Sequence, residues 1–283
     1  MKVISNSVSM QKLMFQTKLS KKSIGFVPTM GALHEGHLSL IRKARKENDI
    51  VVVSIFVNPT QFGPKEDLKK YPRPWKQDKK LCEFLHVDYI FKPEAKRFYE
   101  EPYLTYVNVE KITNILCGKS RPTHFRGVTT VVTKLFNIVQ PNNAYFGQKD
   151  YQQSLVIRTM VRNLNMPVRI KVMPIIREKD GLALSSRNQY LSEEERSRAL
   201  SLYQTLLYGK KLYLEGLTNP KSLRLRMYRF LQRSIDKKKD KIDYLEIRDA
   251  LTLEIAKEHH AKIVIAMAVF IGKTRLIDNI LLG

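Results

Sequence analysis

Residues 49–57 read DIVVVSIFV, and apart from Asp49 and Ser54 every position is apolar. A strand with one wet face alternates apolar and polar residues. A strand covered on both faces is apolar throughout, as in parallel sheets flanked by helices. This run therefore requires helices on both of its sides, and the neighbouring sequence supplies them. Residues 23–27 read as a strand, and 36–46 as a helix with Leu40, Ile41 and Ala44 on one face. A lysine-rich helix is expected at 74–85 and a strand at 87–91. The β-branched run GVTTVVTKLFNIV, 127–139, is long enough to be a buried helix. A strand at 144–146, a helix at 151–164 and a strand at 168–174 follow. Strands and helices alternating in this way predict an α/β fold built on a doubly wound parallel sheet.

The pattern changes after SSRNQYLSEEERSRAL. Ser192 and Glu195 have capping-box spacing, which opens a helix running to Gly209 or beyond. A second helix is expected at 220–235, and strands at 242–247, 262–271 and 276–282. These form a smaller α+β unit, with the boundary near residue 176: one domain of residues 1–176 and another of 177–283.

The net charge of +23 is the feature that invites a nucleic-acid reading. Residues 1–170 carry 28 basic and 13 acidic side chains, and 171–283 carry 22 and 14, so the surplus is spread rather than gathered in a tail. No zinc spacing, RNP-like aromatic motif or basic heptad region accompanies it. We read it as a general basic bias used locally for anionic substrates, with no nucleic-acid partner expected. Two cysteines, Cys82 and Cys117, make neither a CxxC pair nor a disulfide framework. No secretory signal and no membrane-length apolar run is legible, so a cytoplasmic location is expected.

Ligands of open α/β sheets bind beyond the carboxyl ends of the strands, and four polar clusters follow expected strands. His34 and His37, in PTMGALHEGH, stand where a helix begins and its backbone N–H groups are ready for an anion. A structural pair and a metal pair remain open for the same residues. Lys149 and Asp150, after Gly147, suit either a phosphate contact or an ordinary helix start with Asp150 as its cap. Ser185, Ser186 and Arg187 offer two hydroxyls and a guanidinium, apt for phosphate oxygens or for a solvated turn. Gln61 and Gln153 can donate and accept toward a small hydroxy acid, and are also common on surfaces. Taken together, the four clusters favour an anion site. No Ser-His-Asp or Cys-His constellation is legible.

The segments PTMGALHEGHLSLI, SIFVNPTQFGPKEDLKKYPR, RPTHFRGVTTVVTKLFNIVQP, YFGQKDYQQ and REKDGLALSSRNQYLS occur in this order between residues 27 and 192. In them the chain resembles the pantoate–β-alanine ligase family of HxGH nucleotidyltransferases. The resemblance implies a Rossmann-like sheet, ATP as a substrate and magnesium with it, and ATP-dependent joining of pantoate to β-alanine through a pantoyl adenylate. Homodimers are typical of the family. It implies that Met30, Gly31, Ala32 and Leu33, with His34, Glu35, Gly36 and His37, line the ATP, His37 acting as proton donor. Gly147, Gln148, Lys149 and Asp150 would hold the nucleotide, as would Ile176, Leu184, Ser185, Ser186 and Arg187. His34, His37 and Lys149 would be catalytic. Gln61 and Gln153 would orient pantoate, with Gln61 also near β-alanine. The protein ligands of the metal are not assigned. Three positions depart from the family pattern: Gln148 where glutamate is usual, Thr123 where glycine is usual, and Leu184 where methionine is usual. Another HxGH nucleotidyltransferase or a class I aminoacyl-tRNA synthetase fragment is the nearest rival. Only about 95 residues follow the SSRN loop, few for reading a tRNA.

Overall fold

A computed structural model describes residues 1–64, 66–258 and 261–283. They divide into two compact units. The first comprises Met1–Asn114, Arg121–Gln148 and Gln153–Pro174, and the second Ile115–Ser120, Lys149–Gln152 and Ile175–Gly283.

The first unit carries a six-stranded, all-parallel sheet in the order β1-β4-β3-β2-β5-β6. Along the chain it runs β1 (Lys2–Ile4), α1 (Ser7–Leu19), β2 (Ile24–Thr29), α2 (Glu35–Glu47), β3 (Ile50–Ile55), α3 (Trp75–Phe84), β4 (Tyr89–Phe91) and α4 (Ala95–Phe98). After α5 (Cys117–Ser120), which belongs to the second unit, come α6 (His124–Val139), β5 (Asn143–Gly147), α7 (Tyr151–Asn163) and β6 (Arg169–Met173). Successive residues of a strand point to opposite faces, and the core divides accordingly. Phe26, Val52, Phe91, Ala144 and Phe146 pack with α1 and α6. Val27, Val51, Val53, Ile90 and Tyr145 pack with α2 and with Cys82 of α3. This is the two-sided cover that the DIVVVSIFV run demanded.

Helix α6 is buried almost all round, which explains its composition. Packing on several sides outweighs the helix reluctance of valine and threonine. The hydroxyls of Thr129 and Thr130 donate back to the carbonyls of Phe125 and Arg126 at 2.8 and 2.7 Å. Among these strands, β2 lies between β3 and β5, and the winding direction reverses between β2 and β5. The carboxyl ends of β2, β3 and β5 therefore share one edge at a topological switch point.

The second unit has an antiparallel sheet of β7 (Lys241–Asp249), β8 (Ile263–Ile271) and β9 (Thr274–Leu282). Helices α8 (Glu193–Leu214) and α9 (Pro220–Ser234) pack on it through Leu202, Leu206, Met227 and Leu231, which meet Leu245, Ile265 and Met267. The expected capping box is present: Glu195 N–H donates to Ser192 Oγ at 3.3 Å, and Ser192 N–H to Glu195 Oε2 at 2.9 Å. Among the described residues, no helix is long and apolar enough to cross a membrane.

Candidate active site

The loop after β2 is shaped by a residue far away in sequence. Gly31 and Ala32 have φ of +82° and +50°, a conformation that costs an alanine about 1–2 kcal/mol. Asp78, on α3, holds them there. Its Oδ2 accepts from Ala32 N–H at 2.9 Å and its Oδ1 from Leu33 N–H at 2.8 Å. A Cβ at position 31 would lie 2.9 Å from Asp78 Oδ2 and 3.1 Å from Ile55, so both the φ and the space require glycine. Asp78 is only 1% exposed. Burial pushes its carboxyl above the usual range, opposed by the two amide bonds that favour the ionised form. Sequence reasoning missed Asp78, because nothing local marks an acidic residue on α3 as the partner of a loop some 45 positions earlier.

His34 and His37 play a double part. His34 lies just outside α2 as its N-cap, rather than within the first turn, and accepts from Gly36 N–H through Nδ1 at 3.2 Å. His37 Nδ1 accepts in turn from His34 N–H at 3.4 Å, completing a capping box made of two imidazoles. The structural reading and the anion reading are thus compatible. Each Nδ1 that accepts a backbone N–H leaves the proton of the neutral ring on Nε2. Both rings therefore carry an Nε2–H donor, and their centroids are 4.2 Å apart. Donors at the start of a helix, where the backbone is already electropositive, suit phosphate oxygens.

Gln61 ends a short 3-10 turn, Pro59–Gln61, beyond β3. Its Oε1 accepts from Asn58 Nδ2 at 3.1 Å, and its Nε2 meets Met30 Sδ at 3.0 Å, so the loops after β2 and β3 touch here. Helix α6 lies directly against the turn. A Cβ on Gly127 would come within 2.4 Å of the Thr60 carbonyl oxygen. The Gln61 carbonyl is held by His124 Nδ1 at 3.0 Å and by Arg121 Nη2 at 3.3 Å. Arg121 also forks onto Glu66 at 2.7 and 2.5 Å. Burial pushes the Glu66 carboxyl up, but the hydrogen bonds and charge of Arg121 outweigh it and hold the group below its ordinary value. Gly147 ends β5, and beyond its own chain neighbours no described atom lies within 4 Å of the place its Cβ would take. Gln153 is half-buried on the first turn of α7. A pocket of about 260 Å³ opens beyond β2, β3 and β4, lined by Met30, Gly31, Phe56, Trp75, Asp78 and Lys92 among others. Of the expected site residues it touches only Met30 and Gly31.

In the second unit, residues 176–184 fold back on themselves. Leu184 N–H donates to the Ile176 carbonyl at 3.0 Å, so these two expected nucleotide contacts are neighbours. Gly181 turns the chain with φ +97°. Arg177 pairs with buried Asp278 through two bonds of 2.6 and 2.9 Å, and Arg196 reaches Glu178 and Asp180 at 2.8 and 2.5 Å. Ser185 then caps the 3-10 turn Ser186–Tyr190 by accepting from Arg187 N–H at 3.3 Å. Lys149 lies in a 3-10 turn, Gln148–Asp150, and its carbonyl accepts from Asn279 Nδ2 at 3.0 Å. Gln152 ties this stretch to α5: its Oε1 accepts from Cys117 N–H and its Nε2 donates to the Ile115 carbonyl. Among the described residues, no three His, Cys, Asp or Glu gather as a metal site.

Comparison with known proteins gives one consistent result. The family model described as Pantoate-beta-alanine ligase matches residues 2–281. The chain is 55% identical over 283 residues to the pantothenate synthetase of Thermotoga petrophila, covering all of both chains. The solved pantothenate synthetase of Thermus thermophilus superposes with a TM-score of 0.93 at 42% identity, over 99% of each chain. The pantoate-beta-alanine ligase of Francisella tularensis, solved in complex with beta-gamma ATP and beta-alanine, is 38% identical with a TM-score of 0.80, covering 99% of this chain and 97% of that one. The sheet whose switch point carries the paired histidines thus has its counterpart in those structures, and the chain belongs to the pantoate–β-alanine ligase family.

Proposed function

We propose that the protein joins pantoate to β-alanine in two steps driven by ATP. A carboxylate is a poor electrophile and must be activated before an amine can attack it. In the first step a pantoate carboxylate oxygen attacks the α-phosphorus of ATP; the bond to the β-phosphate oxygen breaks and pyrophosphate leaves, giving pantoyl adenylate. In the second the β-alanine nitrogen attacks the acyl carbon, the bond to AMP breaks, and the amine proton passes to solvent.

Charge grows on phosphate oxygens in the first step, so positioned donors are needed rather than a nucleophile. The observation that carries this reading is the imidazole capping box, which fixes both Nε2–H donors at the start of α2 beside the switch point. His37 donates to the oxygens that gain charge, with His34 beside it. The family resemblance assigns Lys149, Ser185, Ser186 and Arg187 to the same phosphates. It assigns Gly147, Gln148, Asp150, Ile176 and Leu184 to the rest of the nucleotide. Gln61 and Gln153 orient pantoate. The Francisella ligase, solved with beta-gamma ATP and beta-alanine, supports ATP and β-alanine as substrates.

Magnesium is bound in ATP-using enzymes by one or two carboxylates plus the phosphates. Here Asp78, the buried carboxylate beside the loop, is committed to two backbone amides. Among the described residues no three His, Cys, Asp or Glu gather as a cage, so a magnesium ion would be carried by the triphosphate, whose charge it would neutralise.

The order of steps is tested by isotope exchange. Labelled pyrophosphate should enter ATP when pantoate is present and β-alanine absent, and should not when pantoate is omitted. A folded, ATP-binding protein without such exchange rules out the adenylate. Exchange that runs equally well with an unrelated amino acid points to a synthetase-like enzyme.

A further inference from the structure

The side-chain amide of a glutamine has two chemically opposite ends, and which end meets a ligand depends on what holds the other. Around Gln61 the choice is made by a chain of bonds that starts at Gly127. The Gly127 carbonyl can only accept, and it takes a bond from Asn58 Nδ2 at 3.1 Å. Asn58 Nδ2 spends its second proton on Gln61 Oε1 at 3.1 Å. Its oxygen is fixed from the opposite side: Asn58 Oδ1 accepts from Tyr99 OH at 2.8 Å and from Thr60 Oγ1 at 3.0 Å. Asn58 is 1% exposed, and all four of its hydrogen-bonding positions are used. Turning its amide over would set oxygen against the Gly127 carbonyl and against Gln61 Oε1. With Oε1 occupied, Gln61 presents its NH2 end, whose neighbour is the Met30 sulfur at 3.0 Å. Sulfur is a weak acceptor, so an anionic or hydroxyl oxygen displaces it readily.

Tyr99 is built to stay a donor. Its ring packs on Phe98 and Tyr103 with centroids 5.1 and 4.9 Å away, and Lys134 Nζ lies 5.5 Å from the ring centroid. Burial raises the pKa of the hydroxyl well above its ordinary value, so the proton remains on it.

We propose that Tyr99 is a positioning residue: through Asn58 it locks the Gln61 amide with its NH2 end toward the acid substrate, making this subsite selective for an oxygen acceptor. This rests on the reading of Gln61 as a pantoate contact. Tyr99 touches no substrate in this scheme and acts only through Asn58 and Gln61.

Tyr99→Phe removes the hydroxyl and keeps the ring contacts. In the parent background it should raise KM for pantoate about tenfold, the scale for one buried hydrogen bond, with kcat and KM for ATP within twofold of the parent. Placed in a Gln61→Ala background, the same substitution should change KM for pantoate by less than twofold, because the group it positions is gone. Additive effects in the double variant, or an equal rise in KM for ATP, would overturn the proposal. If Tyr99→Phe does not fold, Thr60→Val removes the second donor to the same oxygen and should give the same pantoate-selective loss. A readout free of turnover separates this from the proposed activity. The side-chain amide NMR signal of Gln61 should shift in Tyr99→Phe while that of Gln153 stays in place. An unmoved Gln61 signal defeats the relay even in an enzyme that makes pantothenate, and a shifted signal upholds it even if pantoate proves not to be the substrate.

Discussion

The loop after β2 and the hairpin of residues 176–184 both offer polar side chains, but they are stiffened by different means. In the first, the two histidines cap their own helix across three residues, and one buried carboxylate gathers two amides. In the second, the backbone doubles back and is pinned by guanidinium–carboxylate pairs, one of them reaching 101 positions along the chain. The contrast is between backbone amides gathered on side-chain acceptors and charges that depend on each other. The imidazole cap survives as long as its local sequence does, while the Ala32 and Leu33 amides depend on Asp78 some 45 positions away. The hairpin is as firm as the pair that Arg177 makes with Asp278 on β9.

The largest effect should come from breaking the charged side. Arg177→Met leaves Asp278, whose side chain is 2% exposed, without its counter-ion. The loss should be about 3–5 kcal/mol of unfolding free energy in denaturant titration. A cost under about 1 kcal/mol would mean that the backbone fold of the hairpin holds without the pair.

On the histidine side, His37→Ala removes a donor without unbalancing a charge. We expect kcat to fall by roughly 10²–10³, the scale for losing one donor to developing charge, with helix content by circular dichroism nearly unchanged. Unaltered turnover would reduce His37 to a cap.

Asp78→Asn sharpens the same side. Asparagine keeps the size but can accept at only one oxygen, so one loop amide loses its partner at about 1–3 kcal/mol. KM for ATP should rise while the protein still melts cooperatively. A fully unchanged KM would show that the loop keeps its shape on Gly31 alone.

The smallest effect is in pH. Glu66 has its folded pKa lowered, so its pairing with Arg121 stabilises the protein above the unfolded value of about 4.3 and is lost as pH falls through the folded one. Asp78 has the opposite sign: its raised pKa means a contribution present below about pH 3.9 and lost as pH rises. In acid titrations Glu66→Gln should therefore lose less stability than the parent below about pH 4.3. Superimposable curves would leave the Arg121 pair without weight.

Much of this architecture could be read from the chain because periodicity and capping are local. The DIVVVSIFV run required cover on both faces, and it has it. Ser192 and Glu195 announced a capping box that forms with both bonds. What escaped has physical causes. Helix α1 exposes Val8, Phe15 and Leu19 while burying Met10 and Met14, so its apolar residues do not trace one stripe. Strand β1 is three residues long at a sheet edge, too short to show any period. Residues Ile115–Ser120 and Lys149–Gln152 join the second unit through Ser120 Oγ donating to Asp243, Tyr151 OH donating to the Ala250 carbonyl and Asn279 Nδ2 donating to the Lys149 carbonyl, links without a sequence signature. The histidines, Gln61 and the serine–arginine run stood out as residue types. Asp78 and Tyr99 did not, since each gains its meaning only from a partner more than 40 positions away.

The absence of a side chain at position 127 has a consequence for chain variation. With the Thr60 carbonyl seated on the α-carbon of Gly127, helix and turn share one van der Waals boundary. A residue inserted between β3 and the turn could not be absorbed as slack, because the turn has nowhere to recede. This stretch should therefore keep a fixed length wherever the helix keeps its glycine, and a longer one would demand a different helix.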